Sequence, residues 1–356
     1  MVFESLEHRS SQLDQPPFCP HVSVIIPIYN GAADVPDLLH CLQAQTYPAD
    51  RIEYFLVDNN SCDHTFDLLQ HHAAKLVTAH LQVHILRETE IQSSYAARNT
   101  GICAAKGEIL AFTDADCRPH PDWLRYLVQP FVDSAVGIVA GEILALPGNT
   151  LLERYADRHE TLSQRHTLAH PFSPYGQTAN LAIRCSVVKQ VGLFRPYLTT
   201  GGDADLCWRI LRQSNWQIQF AEEAIVQHRH RSTLAGLCSQ WRRYGQSNRY
   251  LHDLHGISLM KTLSWQDAVF RWSRWVLKEI PVATLTAFGI HERKPQSKHH
   301  GLLEILDSLI DTPLSLICRH ARLQGQHQAQ LPNLAQQIAW LPQTAPEQVS
   351  EGTEST

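Results

Sequence analysis

Short apolar runs alternate with amphipathic stretches along the first part of the chain. The apolar runs cover residues 22–27, 52–57, 81–86 and 109–113, and stretches with helical spacing of apolar positions cover residues 34–45, 63–77 and 94–106. Buried strands that alternate with helices are typical of a parallel sheet with helices on both faces. The pattern therefore predicts an α/β fold with a mostly parallel sheet.

This alternation ends near Val226. Residues 232–252, 264–277 and 301–322 have the apolar spacing of helices, whereas residues 331–356 contain Pro, Gln and Glu but neither Lys nor Arg. A segment of that composition is typical of a mobile tail. We therefore predict four parts: an N-terminal tail over residues 1–20, an α/β domain over 21–231, a helical C-terminal region over 232–330 and a flexible tail over 331–356.

Polar loops follow the first, second and fourth predicted strands. Their sequences are Pro27-Ile28-Tyr29-Asn30, Asp58-Asn59-Asn60-Ser61 and Asp114-Ala115-Asp116. Ligands of open parallel sheets bind beyond the carboxyl ends of the strands. We therefore expect these loops to gather along one edge and to form a binding site.

Composition and charge narrow the functional classes. Hydrophobic residues make up 44% of the chain and charged residues 18%, which is ordinary for a folded soluble protein. The net charge of −5 argues against a nucleic-acid binder. The charge is uneven, because residues 224–300 contain 12 Lys and Arg but only 4 Asp and Glu.

The cysteine pattern and the lack of long apolar stretches indicate the cellular compartment of the protein. None of the nine cysteines falls in a C-x-x-C pair, which argues against a disulfide framework or a zinc ribbon. Residues 1–11 lack the apolar core of a signal peptide, and no run of 18 apolar residues occurs. We therefore expect a cytoplasmic protein.

Asp114 and Asp116 are the strongest candidates for chemistry. They lie one residue apart in a turn after a buried strand, so both can hold one hard cation. Mg²⁺ and Mn²⁺ prefer such oxygen ligands and bridge to a diphosphate. The alternative is a solvated, Asp-rich turn.

Three further side chains have a functional and a structural interpretation. Arg98 can pair with a diphosphate, or can be an ordinary helix-surface residue. Asp203 precedes a helical pattern and can act as a general base, or can cap the helix, and the two roles are compatible. His228 can complete the ligand set of a metal ion. Because the chain has 21 His residues, a single His is weak evidence on its own.

Two basic segments remain ambiguous. Residues 224–252 hold five Arg and no acid, which suits phosphate groups but also a solvated helix face. Residues 271–275 contain Trp272 and Trp275 between arginines, which suits the headgroup zone of a membrane but also core packing. Peripheral contact with the inner face of a membrane therefore remains open.

Together these residues resemble family 2 glycosyltransferases of the GT-A fold. The matching motifs, in family order, are Val24-Ile25-Ile26-Pro27-Ile28-Tyr29-Asn30, Val57-Asp58-Asn59-Asn60-Ser61, Ala97-Arg98-Asn99-Thr100-Gly101, Asp114-Ala115-Asp116, Gly202-Asp203-Ala204-Asp205-Leu206 and Val226-Gln227-His228. The resemblance covers roughly residues 22–250. It implies a GT-A type sheet and transfer of a sugar from a nucleotide-activated donor.

The resemblance also implies roles for individual residues. Those implied for the donor nucleotide are Pro27, Tyr29, Asn30, Asp58, Arg98 and Asp114. Those implied for Mg²⁺ or Mn²⁺ are Asp114, Asp116 and His228. UDP-sugars are the favoured donors.

For the acceptor side, the resemblance implies that Asp203 is the catalytic base. A single displacement would then invert the anomeric centre, with a glycan or lipid-linked glycan as acceptor, as in the synthesis of cell-envelope polysaccharides. Further candidates for contacts with the diphosphate or acceptor are Asn180, Asp205, Gln240, Arg243 and Tyr244.

Two departures from the family pattern stand out. The family often has Glu-Asp where this chain has Gly202-Asp203, which bears on how the acceptor is positioned. Gln240, Arg243 and Tyr244 resemble a Q-x-x-R-W signature with Tyr in place of Trp, but the membrane helices of processive synthases are absent from the sequence, so processive synthesis is not inferred.

Two other functional classes stay open from the sequence. A nucleotidyltransferase has a similar sheet and acidic metal site, but residues 10–50 contain no Lys or Arg and only one Gly to hold a triphosphate. A non-catalytic nucleotide-sugar-binding domain is the other alternative, although Asp114, Asp116 and Asp203 are all retained.

Overall fold

A computed structural model describes residues 18–77, 81–287 and 301–342 of the protein. The predicted N-terminal tail lies outside the described residues up to residue 17, and the predicted C-terminal tail does so from residue 343.

Eight strands form one sheet. They are β1 (Val22–Ile28), β2 (Ile52–Asp58), β3 (Gln82–Arg87), β4 (Ile109–Thr113), β5 (Cys117–Pro119), β6 (Val136–Ala145), β7 (Asn180–Arg184) and β8 (Gln217–His228). Their spatial order is β3-β2-β1-β4-β7-β6-β8-β5. The four N-terminal strands pair in parallel, whereas β7 runs antiparallel to both β4 and β6, so the sheet is mixed.

Twelve helices are numbered among the described residues. They are α1 (Val35–Gln43), α2 (Thr65–Val77), α3 (Ser94–Ala104), α4 (Trp123–Val128), α5 (Leu151–Arg158), α6 (Gln164–Leu168), α7 (Cys185–Val191), α8 (Gly202–Gln213), α9 (Leu234–His255), α10 (Trp265–Arg274), α11 (Ile280–Ala287) and α12 (Gly301–Gln328). Short 3₁₀ turns cover Ala49–Arg51, Gln129–Val132 and Asn333–Gln336, and a π turn over Trp275–Glu279 joins α10 to α11.

The central strands are covered on both faces. Every residue of β1, β2 and β4 is buried. Val24 and Ile26 of β1 pack with residues of α1 and α4, while Ile25 packs on the opposite face with residues of α3 and α8. This two-faced burial explains the continuous apolar runs in the sequence, and it confirms the predicted α/β fold.

Helices α9 and α12 form the C-terminal layer and touch through their backbones. A Cβ atom at Gly245 would collide with the carbonyl oxygen of Arg322, and one at Gly325 would collide with that of Arg242. Two glycines thus permit a helix contact that any side chain would block. This contact fixes where the side chains of both helices lie relative to the sheet.

The predicted flexible tail differs from the structure over residues 331–342. Ala335 is fully buried, and Leu331 and Leu341 pack against the core cluster that contains Phe194. The backbone N–H of Leu193 donates to the carbonyl oxygen of Ala339 at 2.7 Å. The sparse apolar residues of this segment therefore dock on the domain despite its polar composition.

Within the described residues, no helix has the length and apolarity needed to cross a membrane.

Candidate functional site

A cavity of about 510 Å³ opens beyond the carboxyl ends of β1 and β4. It is lined by eleven of the fourteen residues selected from the sequence: Pro27, Tyr29, Asn30, Arg98, Asp114, Asp116, Asp203, His228, Gln240, Arg243 and Tyr244. The expected gathering of the polar loops at one edge is therefore observed.

Asp116 and His228 form a pair at one end of the cavity. Antiparallel pairing of β5 with β8 sets Cys117 opposite His228, and this brings the Asp116 Oδ1 to 3.3 Å from the His228 Nε2. The His228 Nδ1 atom is buried and has no hydrogen-bond partner in the described part of the chain. A carboxylate and an imidazole at this spacing fit a divalent cation such as Mn²⁺ or Mg²⁺.

Cys117 is a third potential ligand that the sequence did not suggest. The ligand atoms of Asp116, Cys117 and His228 lie within 4.8 Å of one another. Burial, with added repulsion from Asp114 and Asp116, raises the pKa of the Cys117 thiol well above its usual value. Because a neutral thiol is a poor ligand for a hard cation, the oxygen and nitrogen donors fit Mg²⁺ or Mn²⁺ better.

Arg98 and Asp114 form an ion pair in the lining of the cavity. The Arg98 Nη2 donates to the Asp114 Oδ1 at 2.5 Å, and Arg98 is only 3% exposed. The Arg98 Nε is buried and has no partner among the described residues. A guanidinium with one hydrogen bond in use retains donors for an anionic ligand.

Asp203 lies in the first turn of α8 and points into the cavity. Its Oδ1 accepts a hydrogen bond from the Thr178 hydroxyl at 3.1 Å, and its Oδ2 from the Thr178 backbone N–H at 3.4 Å. Burial raises the pKa of the Asp203 carboxyl, Arg98 opposes this, and Asp114 adds to it. No basic side chain in the described part of the chain forms an ion pair with Asp203, and a carboxylate with a raised pKa is suited to accept a proton.

The predicted capping role of Asp203 is not observed. The N-cap of α8 is Gly201, with φ 79° in the left-handed region, and no side chain caps the helix there. This turn places Gly202 against the ring of Tyr95, where a Cβ would lie 2.7 Å from the Tyr95 Cζ. Tyr95 thus fills the space that a Glu at position 202 would need.

Asn30 and Asp58 support the loops at the mouth of the cavity. Asn30 has φ 49°, and its Oδ1 accepts a hydrogen bond from the backbone N–H of Cys62 at 2.9 Å. Asp58 is completely buried, accepts from the backbone N–H of Ser61 at 3.3 Å and lies 3.4 Å from the Arg87 Nε. Asp58 does not line the cavity, which differs from its expected place beside the nucleotide.

Asn180 and Asp205 are also outside the cavity. The Asn180 Oδ1 accepts from the Trp123 Nε1 at 2.7 Å, and its Nδ2 donates to the carbonyl oxygens of Glu142 and Ala224. These bonds join β7 to its neighbours. The expectation that Asn180 contacts the diphosphate or acceptor is therefore corrected, since its amide is fully engaged in the core.

Asp205 forms a buried ion cluster behind α8. It accepts from the Arg195 Nε at 2.9 Å and the Arg209 Nε at 3.0 Å, and lies 2.9 Å from the His255 Nε2. Burial alone would raise the pKa of Asp205, but His255 and the two arginines lower it to about 2. Its expected ligand role is corrected to a structural one.

Gln240, Arg243 and Tyr244 reach the cavity from α9. The Gln240 Nε2 donates to the Tyr244 hydroxyl at 3.2 Å, and burial raises the pKa of that hydroxyl. Other lining residues were not singled out individually from the sequence, among them Asp34, Tyr95, Tyr175, Gln177, Thr178 and Arg231. Thr178 had no local signal, because its importance depends on the neighbouring position of Asp203.

Comparison with sequence families agrees with this geometry. The model of the family described as "Glycosyl transferase family 2" matches residues 23–195. That range contains the cavity residues from Pro27 to Thr178, whereas Asp203 and His228 lie beyond it.

Two curated relatives are similar over most of the chain. Glycosyltransferase AglE of Haloferax volcanii is 36% identical over 265 residues, which are 72% of this chain and 80% of AglE. The pre-mycofactocin glycosyltransferase of Mycobacterium tuberculosis is 31% identical over 232 residues, 64% of this chain. The chain spans only 46% of the length of that second relative.

Among solved structures, the fold is similar to mannosyltransferase PcManGT from Pyrobaculum calidifontis in complex with GDP-Man and Mn²⁺. The TM-score is 0.58 at 20% identity, and the match covers 89% of this chain and 93% of that one. This likeness concerns the fold alone. Together with the match to AglE over most of both chains and the family model over residues 23–195, it leads to one conclusion: the chain is a GT-A glycosyltransferase that belongs to family 2.

Proposed function

We propose that the protein transfers a sugar from a nucleoside diphosphate-sugar to an acceptor hydroxyl with inversion, assisted by Mn²⁺ or Mg²⁺. The observation that carries this proposal is the meeting of Arg98, Asp114, the Asp116–His228 pair and Asp203 in one cavity. The family assignment favours this hypothesis over a nucleotidyltransferase or a domain that only binds.

The donor half of the cavity would hold the nucleotide. Pro27, Tyr29 and Asn30 line the mouth, where a base and ribose would contact them. Arg98 would pair with a diphosphate oxygen through donors that Asp114 leaves available. A cation held by Asp116 and His228 would neutralise the charge that develops on the leaving nucleoside diphosphate.

Asp203 would act on the acceptor side. Its carboxylate would accept the proton of the acceptor hydroxyl as that oxygen forms the bond to the anomeric carbon and the bond to the leaving phosphate breaks. One displacement of this kind inverts the anomeric centre. Thr178 would hold the carboxylate in position through its two hydrogen bonds.

UDP-sugars are the first donors to test, with GDP-sugars beside them, because PcManGT is described in complex with GDP-Man. We propose a glycan or a lipid-linked glycan as acceptor, in the synthesis of a cell-envelope polysaccharide.

A donor-hydrolysis screen tests the function. Purified protein is incubated with a panel of nucleotide-sugars, with Mn²⁺, Mg²⁺ or chelator, beside Asp116→Ala and the exposed-carboxylate control Asp133→Ala. We expect metal-dependent release of a nucleoside diphosphate from one donor, lost in Asp116→Ala and kept in the control. Absence of both release and metal-dependent binding for every donor would contradict the proposal.

We also propose that the protein contacts the cytoplasmic face of a membrane through α10 and the π turn. This surface exposes large apolar side chains, with Trp265 74%, Phe270 66% and Leu277 76% exposed. Arg271 and Lys278 are exposed on the same segment. Aromatic and aliphatic side chains beside cations suit an anionic bilayer surface.

Sedimentation with vesicles tests this contact. We expect binding to phosphatidylcholine vesicles that contain phosphatidylglycerol, weakened roughly tenfold or more by Leu277→Ser, since a buried Leu contributes about 1.5–3 kcal/mol. Val132→Ser is the control, because Val132 is also exposed (61%) but lies before β6. Equal binding by both variants, or no binding by the wild type, would contradict the contact.

A further inference from the structure

A second cavity of about 490 Å³ adjoins the first. The two share Tyr175, Gln177, Tyr244 and Ser247 as lining residues. Gln177 precedes Thr178, whose hydroxyl donates to Asp203, so the second cavity lies beside the proposed base. Its position suits the acceptor rather than the donor.

The chemistry of this second cavity is that of an anion site. It is lined by Arg322, three histidines (His159, His166 and His170), Trp241, Asn248 and several hydroxyl side chains, and by no Asp or Glu among the described residues. Asp311 lies 3.7 Å from His159 at the rim, but it already pairs with Arg158 at 2.6 Å. Asp311 is therefore not available as a counter-charge for the arginine that lines this cavity.

Arg322 is that arginine, and its charge is unpaired. Its Nη2 donates to the Asn248 Oδ1 at 2.9 Å, its Nε is buried without a partner among the described residues, and none of the charged groups that shift its pKa is a carboxylate. Burial lowers its pKa. Burial of a guanidinium without a counter-charge costs free energy of folding. A residue with a purely structural role is not expected to carry that cost.

The position of Arg322 is fixed rather than adaptable. Its backbone lies at the contact of α12 with Gly245 of α9, and its guanidinium carbon lies 5.9 Å from the ring centroid of Trp241. The Trp241 Nε1 is also buried without a partner in the described chain. Helix α12 lies outside residues 23–195, so this feature belongs to the C-terminal region and not to the matched family segment.

We propose that the second cavity binds a phosphate ester carried by the acceptor, with Arg322 as its counter-charge and the acceptor hydroxyl directed past Tyr175 toward Asp203. A guanidinium can give a phosphate two parallel hydrogen bonds, and hydrogen bonds to charged groups are the strong ones. The subsite specifies the acceptor class of the proposed function and rests on it.

Calorimetric titration tests the subsite, with glycerol 1-phosphate as the soluble probe and lysophosphatidic acid as the lipid probe. Arg322→Gln is compared with Arg242→Gln, which lies on the same helix pair, bonds Gln324 and lines neither cavity. We expect Arg322→Gln to weaken binding about tenfold to a hundredfold and Arg242→Gln to leave it unchanged. Tighter Arg322-dependent binding of the lipid probe assigns a lipid phosphate, and equal binding assigns a soluble phosphate ester.

Thermal unfolding separates this role from a structural one. Removal of an unpaired charge leaves the Tm of Arg322→Gln equal to or above that of the wild type, whereas a lowered Tm with unchanged phosphate binding would overturn the proposal. So would absence of phosphate binding by the wild type.

The donor screen keeps the two proposals distinct. Donor hydrolysis without Arg322-dependent phosphate binding would refute the subsite and leave the function standing. Arg322-dependent binding without any donor hydrolysis or donor binding would refute the function and leave a phosphate site.

Discussion

Helix α8 carries an aspartate on each of two faces, and the two carboxylates have opposite environments. Asp203 points into the cavity, where Thr178 is its only hydrogen-bond donor among the described residues and burial raises its pKa. Asp205 points to the back of the helix, where Arg195, Arg209 and His255 surround it and lower its pKa to about 2.

The difference shows that counter-charge decides what a carboxylate withdrawn from water can do. Both side chains lose water, which favours the protonated acid. On the back face three cationic or hydrogen-bonding groups more than offset that loss, so Asp205 stays ionised and stabilises the fold. On the cavity face no basic side chain among the described residues forms an ion pair with Asp203, and the more distant Arg98 only partly offsets the loss of water, so the pKa of Asp203 stays raised. A raised pKa is what the proposed role of Asp203 as a base requires.

Among the variants that test this comparison between Asp203 and Asp205, Asp203→Asn is expected to have the largest effect. We expect the transfer rate, or donor hydrolysis by water, to fall by about 10²–10⁴-fold, the range for loss of a general base. The Tm should not fall, because the amide removes an ionised group that burial disfavours. Steady-state kinetics with the donor found in the screen, beside thermal unfolding, measures both. A variant that loses stability but retains its rate would reverse the roles assigned to the two faces.

Asp205→Asn is expected to have the complementary effect. Loss of the carboxylate leaves Arg209 buried without its partner, so the free energy of unfolding should fall by about 3–5 kcal/mol at neutral pH. Activity well below the Tm should persist. Since the folded-state pKa lies below the usual carboxyl value, this stabilisation is complete above that value and is lost as the pH falls toward 2.

The matched control for this second variant is Asp253→Asn. Asp253 also accepts from an arginine four residues away, with 3.1 Å between its Oδ2 and the Arg249 Nε, but at the surface of α9. We expect a loss of about 0.3–0.5 kcal/mol there. Denaturant unfolding of both variants gives the comparison, and equal losses would show that burial of the Asp205 cluster contributes nothing.

The strands of the first half were predictable because both of their faces are buried. Residues of β1, β2 and β4 are apolar at nearly every position, and the predicted bounds agree with the structure to about one residue. Two later strands lack that signal. β5 has only three residues, and in β8 the buried Ala221 and Ala224 flank the exposed Glu222 and Glu223.

For the candidate site, the order of the motifs along the chain predicted that residues at strand ends line the cavity. It did not predict which of the selected side chains point away from the cavity. Asp203 and Asp205 are two residues apart on a helix, hence about 200° apart around its axis, so only one of them can face the cavity. That signal was present in the sequence. Arg322 left no comparable signal, because its place depends on the packing of α12 against α9.

The smallest expected effect comes from Thr178→Val, which keeps the shape of the side chain and removes its hydroxyl. That hydroxyl donates to the Asp203 Oδ1 and so lowers the pKa that burial raises. Without it the carboxyl should bind its proton more tightly, and the acidic limb of the kcat/KM profile should move to higher pH, since only the deprotonated form accepts a proton. Thr46→Val is the control, because Thr46 donates to Asp122 outside the cavity at 2.7 Å. A limb that stays in place in Thr178→Val would mean that a group other than Asp203 controls the reaction at low pH.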